Sequence, residues 1–278
     1  MASAPSARQR HPASEGGGLA TPQARQSLPR RSQSPNPYAP MTLAGRGAVA
    51  IWHDIAPEGR TEFYAWHGNE HMKERVAIPG FLRGRRYAAV TGCPEYFNLY
   101  ETESPSTVTS AAYLERLNHP TPWTLSTVPH FCGVARSLCT VAASHGVGQG
   151  GLIATFRYAL PLGANVKHRE RMANVVLPAL AERTDVAGCH LLVADEAASA
   201  ARTVEKNVRA ENNEVPPWIV LVESWGDGPA FNELCSSMLA DSFADTETAP
   251  ALGIYRLQFA IDKADLRRTA TTWTVEQS

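Results

Sequence analysis

From residue 47 onward the hydrophobic pattern passes through one order of elements and then passes through it again. Residues 47–55 are a short apolar run bounded by Gly and Pro, which predicts a strand. Residues 58–77 lack Pro and read as a helix until Pro79-Gly80 stops them. Residues 81–91 and 96–101 are strand-like and meet across Gly92-Cys93-Pro94. A second helix is expected over 106–117, with Ser106 as its N-cap, and a fourth strand over 132–143. The order is βαββαβ. It recurs as a strand at 152–160, a helix at 165–183 with a kink at Pro178, strands at 190–195 and 218–225, a helix at 230–239 and a strand at 253–261. Val186-Ala187-Gly188 takes the place of Ile78-Pro79-Gly80. Tyr96-Phe97-Asn98-Leu99-Tyr100-Glu101 parallels Trp218-Ile219-Val220-Leu221-Val222-Glu223, and each closes an apolar strand on a glutamate. Residues 197–215 are charged, have no counterpart in the first half, and read as a surface insertion.

A βαββαβ unit is ferredoxin-like, with helices on one face of its antiparallel sheet. The bare face is apolar and must find a partner. Two units in one chain can supply each other. The expected fold is therefore α+β: tandem ferredoxin-like units whose four-stranded sheets close into a barrel with helices outside. The expected organisation is a tail at 1–40, a site-bearing unit at 41–145, a glycine linker at 146–151, a structural unit at 152–265 and a C-terminal tail at 266–278. Residues 1–40 hold seven Pro, six Ser, five Arg and one Glu, with too little apolar surface to offset chain entropy, so they are expected to be disordered. Such an Arg- and Ser-rich start also fits a transit peptide.

The whole chain has a formal charge of −1. That balance excludes a strongly basic nucleic-acid binder, so no nucleic-acid partner is expected. No run of 18 apolar residues occurs, so no membrane span is expected. The five cysteines are widely spaced without a CxxC pair, which predicts reduced thiols in a cytoplasmic protein. Gly146-Val147-Gly148-Gln149-Gly150-Gly151 matches GxGxxG by letter, but a strand follows it where a nucleotide site needs a helix.

The first long helix carries the unusual residues. Phe63, Trp66, His67, Glu70, His71 and Glu74 follow i, i+3, i+4, i+7, i+8, i+11, which puts them on one face of a regular α-helix. Two aromatic rings, two imidazoles and two carboxylates suit a pocket wall in which the rings hold an apolar ligand and the His and Glu move protons. The matching helix of the second half offers Met172, Val176, Ala179 and Leu180, which is plain packing. One site, in the first half, is expected. His53 shares a strand face with Val49 and Ile51. Arg83 and Arg85 share a strand face and Arg86 points the other way, which makes Arg86 a candidate for a substrate carboxylate or phenolate, an ion pair with Glu101 being the alternative. His67 and His71 would also suit a divalent metal if His53 or a carboxylate completed the set. The bland alternative packs the helix through Ala65, Met72 and Val76 and leaves the polar residues solvated.

Trp66-His67, Glu70-His71 and the run from Glu74-Arg75 through Pro79-Gly80-Phe81 to Arg86-Tyr87 resemble the dimeric α+β barrel superfamily, especially EthD-like proteins and their uncharacterised bacterial relatives. The resemblance implies a ligand pocket between sheet and helices of one unit, and one polypeptide standing for a dimer. It further implies a cofactor-independent enzyme acting on a small aromatic or apolar metabolite by proton transfer, a lyase or isomerase of aromatic catabolism. In that reading His71 or His67 is the base, His53 the second acid or base, Glu70 and Glu74 orient the histidines, and Arg86 or Tyr87 holds oxyanion charge. No cofactor is expected. The superfamily equally implies rivals: a haem- or metal-binding oxygenase or dehydratase, a cofactor-free monooxygenase, or a non-catalytic accessory protein that binds a small molecule. Further homo-oligomerisation is compatible with all of them.

Overall fold

The computed structural model describes residues 42–209, 214–244 and 246–272. The tail expected at 1–40 lies outside the described residues. The first half runs β1 (Gly47–Ile55), α1 (Arg60–Trp66), a π turn (His67–His71), α2 (Met72–Ala77), β2 (Phe81–Thr91), β3 (Tyr96–Thr102), α3 (Ala111–Asn118), α4 (Pro122–Thr127) and β4 (Phe131–Gly146). The second half repeats it as β5 (Leu152–Tyr158), α5 (Asn165–Arg171), a π turn (Met172–Val176), α6 (Leu177–Ala181) and β6 (Val186–Ala194), then α7 (Glu196–Ala200), α8 (Val204–Val208), β7 (Trp218–Ser224), α9 (Gly228–Ser242) and β8 (Ala251–Asp262). A last helix, α10 (Lys263–Thr272), follows at once.

The eight strands close a barrel in the order β1-β3-β2-β8-β5-β7-β6-β4. Each half contributes one antiparallel sheet of the same internal order, and the seams are the antiparallel pairs β2–β8 and β4–β6. Alternation along the strands sends one set of side chains into the barrel and the other under the helices. Ala48, Ala50 and Trp52 of β1 point inward with Tyr87, Phe97, Ile219, Leu221 and Tyr255. Val49 faces outward, against Met72 and Val76 of α2.

Two expected boundaries move. Ser106 lies inside a 3-10 turn (Pro105–Thr109), and the cap of α3 is Ser110, whose Oγ accepts from the Tyr113 N–H at 3.3 Å. Pro105 fixes the first turn residue, and the chain extends at Ser110 before winding again. The chain also does not end its second unit at 265 in a tail. Lys263 opens α10, and its Nζ donates to the carbonyls of Val76, Ala77 and Ile78 at 2.8, 2.7 and 2.9 Å. A cation therefore satisfies the unpaired carbonyls at the end of α2.

One end of the barrel interior is charged. Register places Arg83 opposite Glu101, and Gly188 opposite Glu223, so the two glutamates are equivalent in the repeat. By the same register Arg85 and His190 are equivalent, opposite Leu99 and Leu221. Arg85 spans the interior: Nη1 and Nη2 donate to Glu223 at 2.8 and 3.0 Å, and Nη2 lies 2.9 Å from Glu101 Oε1. Arg83 pairs with Glu101 through two bonds of 2.9 and 2.7 Å. Two guanidiniums thus balance two carboxylates, all buried.

Removing one member of such a network strands the others in low dielectric. Arg85→Met is expected to cost about 3–5 kcal/mol, measured by urea unfolding at pH 7. The double variant Arg85→Met/Glu223→Gln should recover part of that loss. A loss below about 1 kcal/mol for Arg85→Met would show that this contact does not join the halves.

Candidate active site

The two long helices both widen into a π turn at the same place in the repeat, His67–His71 and Met172–Val176. A π turn adds one residue, so the buried stripe changes phase as it passes through. Phe63, Trp66 and His67 point inward, and the next inward residues are His71 and Met72, then Arg75 and Val76. A regular helix would keep Glu70 and Glu74 beside the histidines. Here they rotate away from them. Glu70 Oε1 accepts from Thr121 Oγ1 at 2.6 Å, and Glu74 pairs with Arg116 at 2.8 Å. They tie the helix to its neighbours and do not orient the imidazoles.

His53, His67 and His71 do come together under the helix, all buried. His53 sits among the rings of Phe63, Tyr96 and Phe131, with centroids at 5.3, 5.3 and 4.4 Å. Its Nε2 is 2.8 Å from Asn98 Nδ2 and its Nδ1 is 3.3 Å from the Asp54 carbonyl. Asn98 therefore donates, and the His53 proton rests on Nδ1. The His67 ring lies 5.4 Å from that of His71, which is tilted 4.2 Å from Trp66. His71 Nδ1 is buried with no hydrogen-bond partner among the described residues.

Arg86 approaches His67 from β2. Its Nη1 is 3.4 Å from His67 Nδ1, and its guanidinium lies over Tyr64 and Phe63 at 4.9 and 5.6 Å. It forms no ion pair among the described residues; Glu101 is held instead by Arg83 and Arg85 on the opposite face of the sheet. Tyr87, the next residue, alternates to that opposite face and packs inside the barrel with Trp52 and Phe97. It does not reach the pocket, so it cannot hold oxyanion charge there.

The segment expected as a surface insertion completes the pocket. α7 and α8 fold as a strap, and Glu205 of α8 is buried between Arg75 and Arg209, with the Arg209 contact at 2.9 Å. Trp66, His67, His71, Arg75, Asn98, Tyr100, Arg136, Glu205 and Arg209 are among the residues that line a cavity of about 30 Å³, room for roughly two waters. Neither His53 nor Arg86 is among them. Arg75 Nη1, Arg209 Nε and Asn98 Oδ1 are buried without partners among the described residues. A run of mixed charges is the ordinary mark of a solvated loop, so nothing in residues 197–215 signalled this role.

The electrostatics follow from burial. Burial pushes the His53 imidazole down to about 3 and holds His67 and His71 well below their ordinary range, with nearby guanidiniums adding to the effect. Burial also lowers Arg86. Burial drives Glu205 upward, but Arg75, Arg209 and Arg136 outweigh it and hold the carboxyl below its usual range.

Haem and a divalent metal were the rival groups. The packed pocket does not fit a haem: about 30 Å³ lies between Trp66, Tyr100 and the arginines. Among the described residues no three His, Cys, Asp or Glu converge as metal ligands. Glu70 and Glu74, which could have completed a set with His67 and His71, are turned away by the π turn.

No protein-family model matches the chain, and no curated protein sequence matches it. Solved structures do share its shape. An anthrone oxidase-like protein superposes with a TM-score of 0.55 at 10% identity, covering 78% of this chain and 92% of the other. A candidate monooxygenase from Fusobacterium nucleatum gives 0.50 at 7% identity, covering 80% and 96%. A haem-binding protein from Thermus thermophilus gives 0.41 at 11% identity, covering 81% and 94%, which is too loose to carry an argument. At these identities the likeness establishes the fold, a dimeric α+β barrel contained in one chain. No helix among the described residues is long and apolar enough to cross a membrane.

Three imidazoles kept neutral by burial make stability depend on pH. Each binds a proton more readily in the unfolded chain, near pH 6.5, than in the folded one, so stability is complete above that pH and falls below it. Each contributes a slope of about 1.4 kcal/mol per pH unit. Urea unfolding at pH 7.5 and 5.0 should show a loss of up to about 6 kcal/mol, and His53→Asn should remove about a third of it. A flat profile between these values would contradict the buried, neutral assignment.

Proposed function

We propose that the protein is a cofactor-independent enzyme that binds a small aromatic or otherwise apolar anion in the first-half pocket and moves a proton on it through His71. The carrying observation is His71 Nδ1, buried, without a partner among the described residues, on a ring lining a cavity whose other charged groups are mostly arginines. Arg75, Arg136 and Arg209 face a single carboxylate, Glu205. An entering carboxylate or phenolate supplies the missing negative charge through charge-assisted hydrogen bonds.

The same anion tunes the base. His71 is held down first by burial and then by Arg75 and Arg209. An anion that neutralises these guanidiniums withdraws the second cause and raises the imidazole toward the range useful for proton transfer at neutral pH. Basicity is thus switched on by occupancy. His71 removes a proton, and the charge that develops on the substrate is held by the arginines that line the cavity, with His67 beside it and Arg86 behind His67. Return of the proton at another atom gives isomerisation; expulsion of a leaving group gives elimination. His53, locked between Asn98 and the Asp54 carbonyl, positions the aromatic wall.

The likeness to an anthrone oxidase-like protein supports a second reading, in which the deprotonated substrate reacts with dioxygen. Its first step is the same. Five unpaired cysteines support a cytoplasmic setting.

Proton abstraction is measured directly as hydrogen–deuterium exchange. Incubation in D2O with a panel of aromatic acids, phenols and lactones, followed by NMR, should reveal at least one exchanging substrate. His71→Ala should slow that exchange by about 10² to 10⁴-fold, the usual contribution of general-base catalysis, with an unchanged circular dichroism spectrum. Equal exchange in the variant sinks the assignment. An oxygen electrode separates the two readings.

A further inference from the structure

The inner cavity has a neighbour. A second cavity of about 130 Å³ lies between α3, β4 and the beginning of the strap. Its walls are mostly apolar, made by Val108, Leu114, Leu117 and Leu138, with Ala198 and Ala201 closing it from the strap. The two cavities share Tyr113, Leu117 and Arg136. Arg136 Nη2 donates to Tyr113 Oη at 2.7 Å, and both side chains are buried. One hydrogen-bonded pair is therefore part of the common wall between an arginine-rich inner chamber and an apolar outer one.

We propose that the outer cavity takes the hydrocarbon body of the ligand whose anionic head occupies the inner chamber, and that Tyr113 swings off Arg136 to join the two. The ligand is then a small amphipathic carboxylic acid. This rests on the anion-binding reading of the inner chamber. The order of polarity dictates the orientation: a carboxylate pairs with buried guanidiniums, and a hydrocarbon chain gains by leaving water for the apolar cleft. The inner chamber, at about 30 Å³, has room for a carboxylate head but not for an aromatic ring or a longer hydrocarbon chain, so a second compartment is needed. The strap sets the length accepted, because Ala198 and Ala201 form its far wall. The second half of the chain thereby chooses the ligand for a site whose base sits in the first.

Calorimetric titration of the full chain with straight-chain carboxylates, from acetate to octanoate, tests this. Affinity should rise about fourfold per methylene until the cleft is full, then level off. Ala201→Trp alters an exposed strap residue outside the inner chamber. It should abolish the rise while leaving acetate affinity and melting temperature unchanged. Tyr113→Phe keeps the ring but releases Arg136, and should tighten binding of the longer acids by removing the closed state. An affinity independent of chain length, or the same rise in Ala201→Trp, overturns the proposal while acetate binding leaves the inner anion site standing. Absence of binding across the whole series overturns both.

Discussion

Arg85 lies in the barrel interior between Glu101 of the first half and Glu223 of the second, and the geometry of both halves is referred to that contact. Two apolar sheets could close on each other in more than one register. A guanidinium that must meet two carboxylates, one from each repeat, selects one of them. Burial pushes both carboxyls up, but Arg85 and its neighbours outweigh it and hold Glu223 down to about 2 and Glu101 below its usual range. The network is net neutral, so its value is in fixing register and in the penalty for breaking it. With the register set, β2 delivers Arg86 to the opposite face, where the pocket lies.

The duplication separates support from chemistry. Both halves place a π turn at the same point of their long helix, and the fold needs it in neither case for polarity: the second half fills that turn with Met172, Ala173, Asn174, Val175 and Val176. The first half uses the same backbone device to aim His67, His71 and Arg75 at one small space. The strap then crosses from the second half and contributes Glu205 and Arg209. The pocket is thus a product of both repeats, although its imidazoles come from one.

The barrel was legible because alternation along strands and the repeated order survive any local detail. Tyr96 to Glu101 and Trp218 to Glu223 announced equivalent strands, and the glutamates they end on turned out to meet through Arg85. The opposite facing of Arg85 and Arg86 was legible for the same reason. The site was legible only in part. Helical spacing assumes 3.6 residues per turn, and one extra residue at His67–His71 was enough to take Glu70 and Glu74 out of it and bring Arg75 in. Tyr87 was assigned with Arg86 by adjacency in the motif, whereas adjacent strand residues point apart. Glu205 and Arg209 sit in a charged stretch whose composition describes a solvated loop, and only tertiary packing buries them.

The central claim is that an anion in the arginine-lined chamber governs the protonation of His71. Histidine titrations followed by heteronuclear NMR, with and without benzoate, measure this most directly. Three imidazoles titrating below the ordinary histidine range in the free protein are expected, His53 down to about 3, with an upward shift confined chiefly to His71 and His67 when benzoate is present. Imidazoles that titrate near 6.5 in the free protein, or that ignore benzoate at saturating concentration, would contradict it.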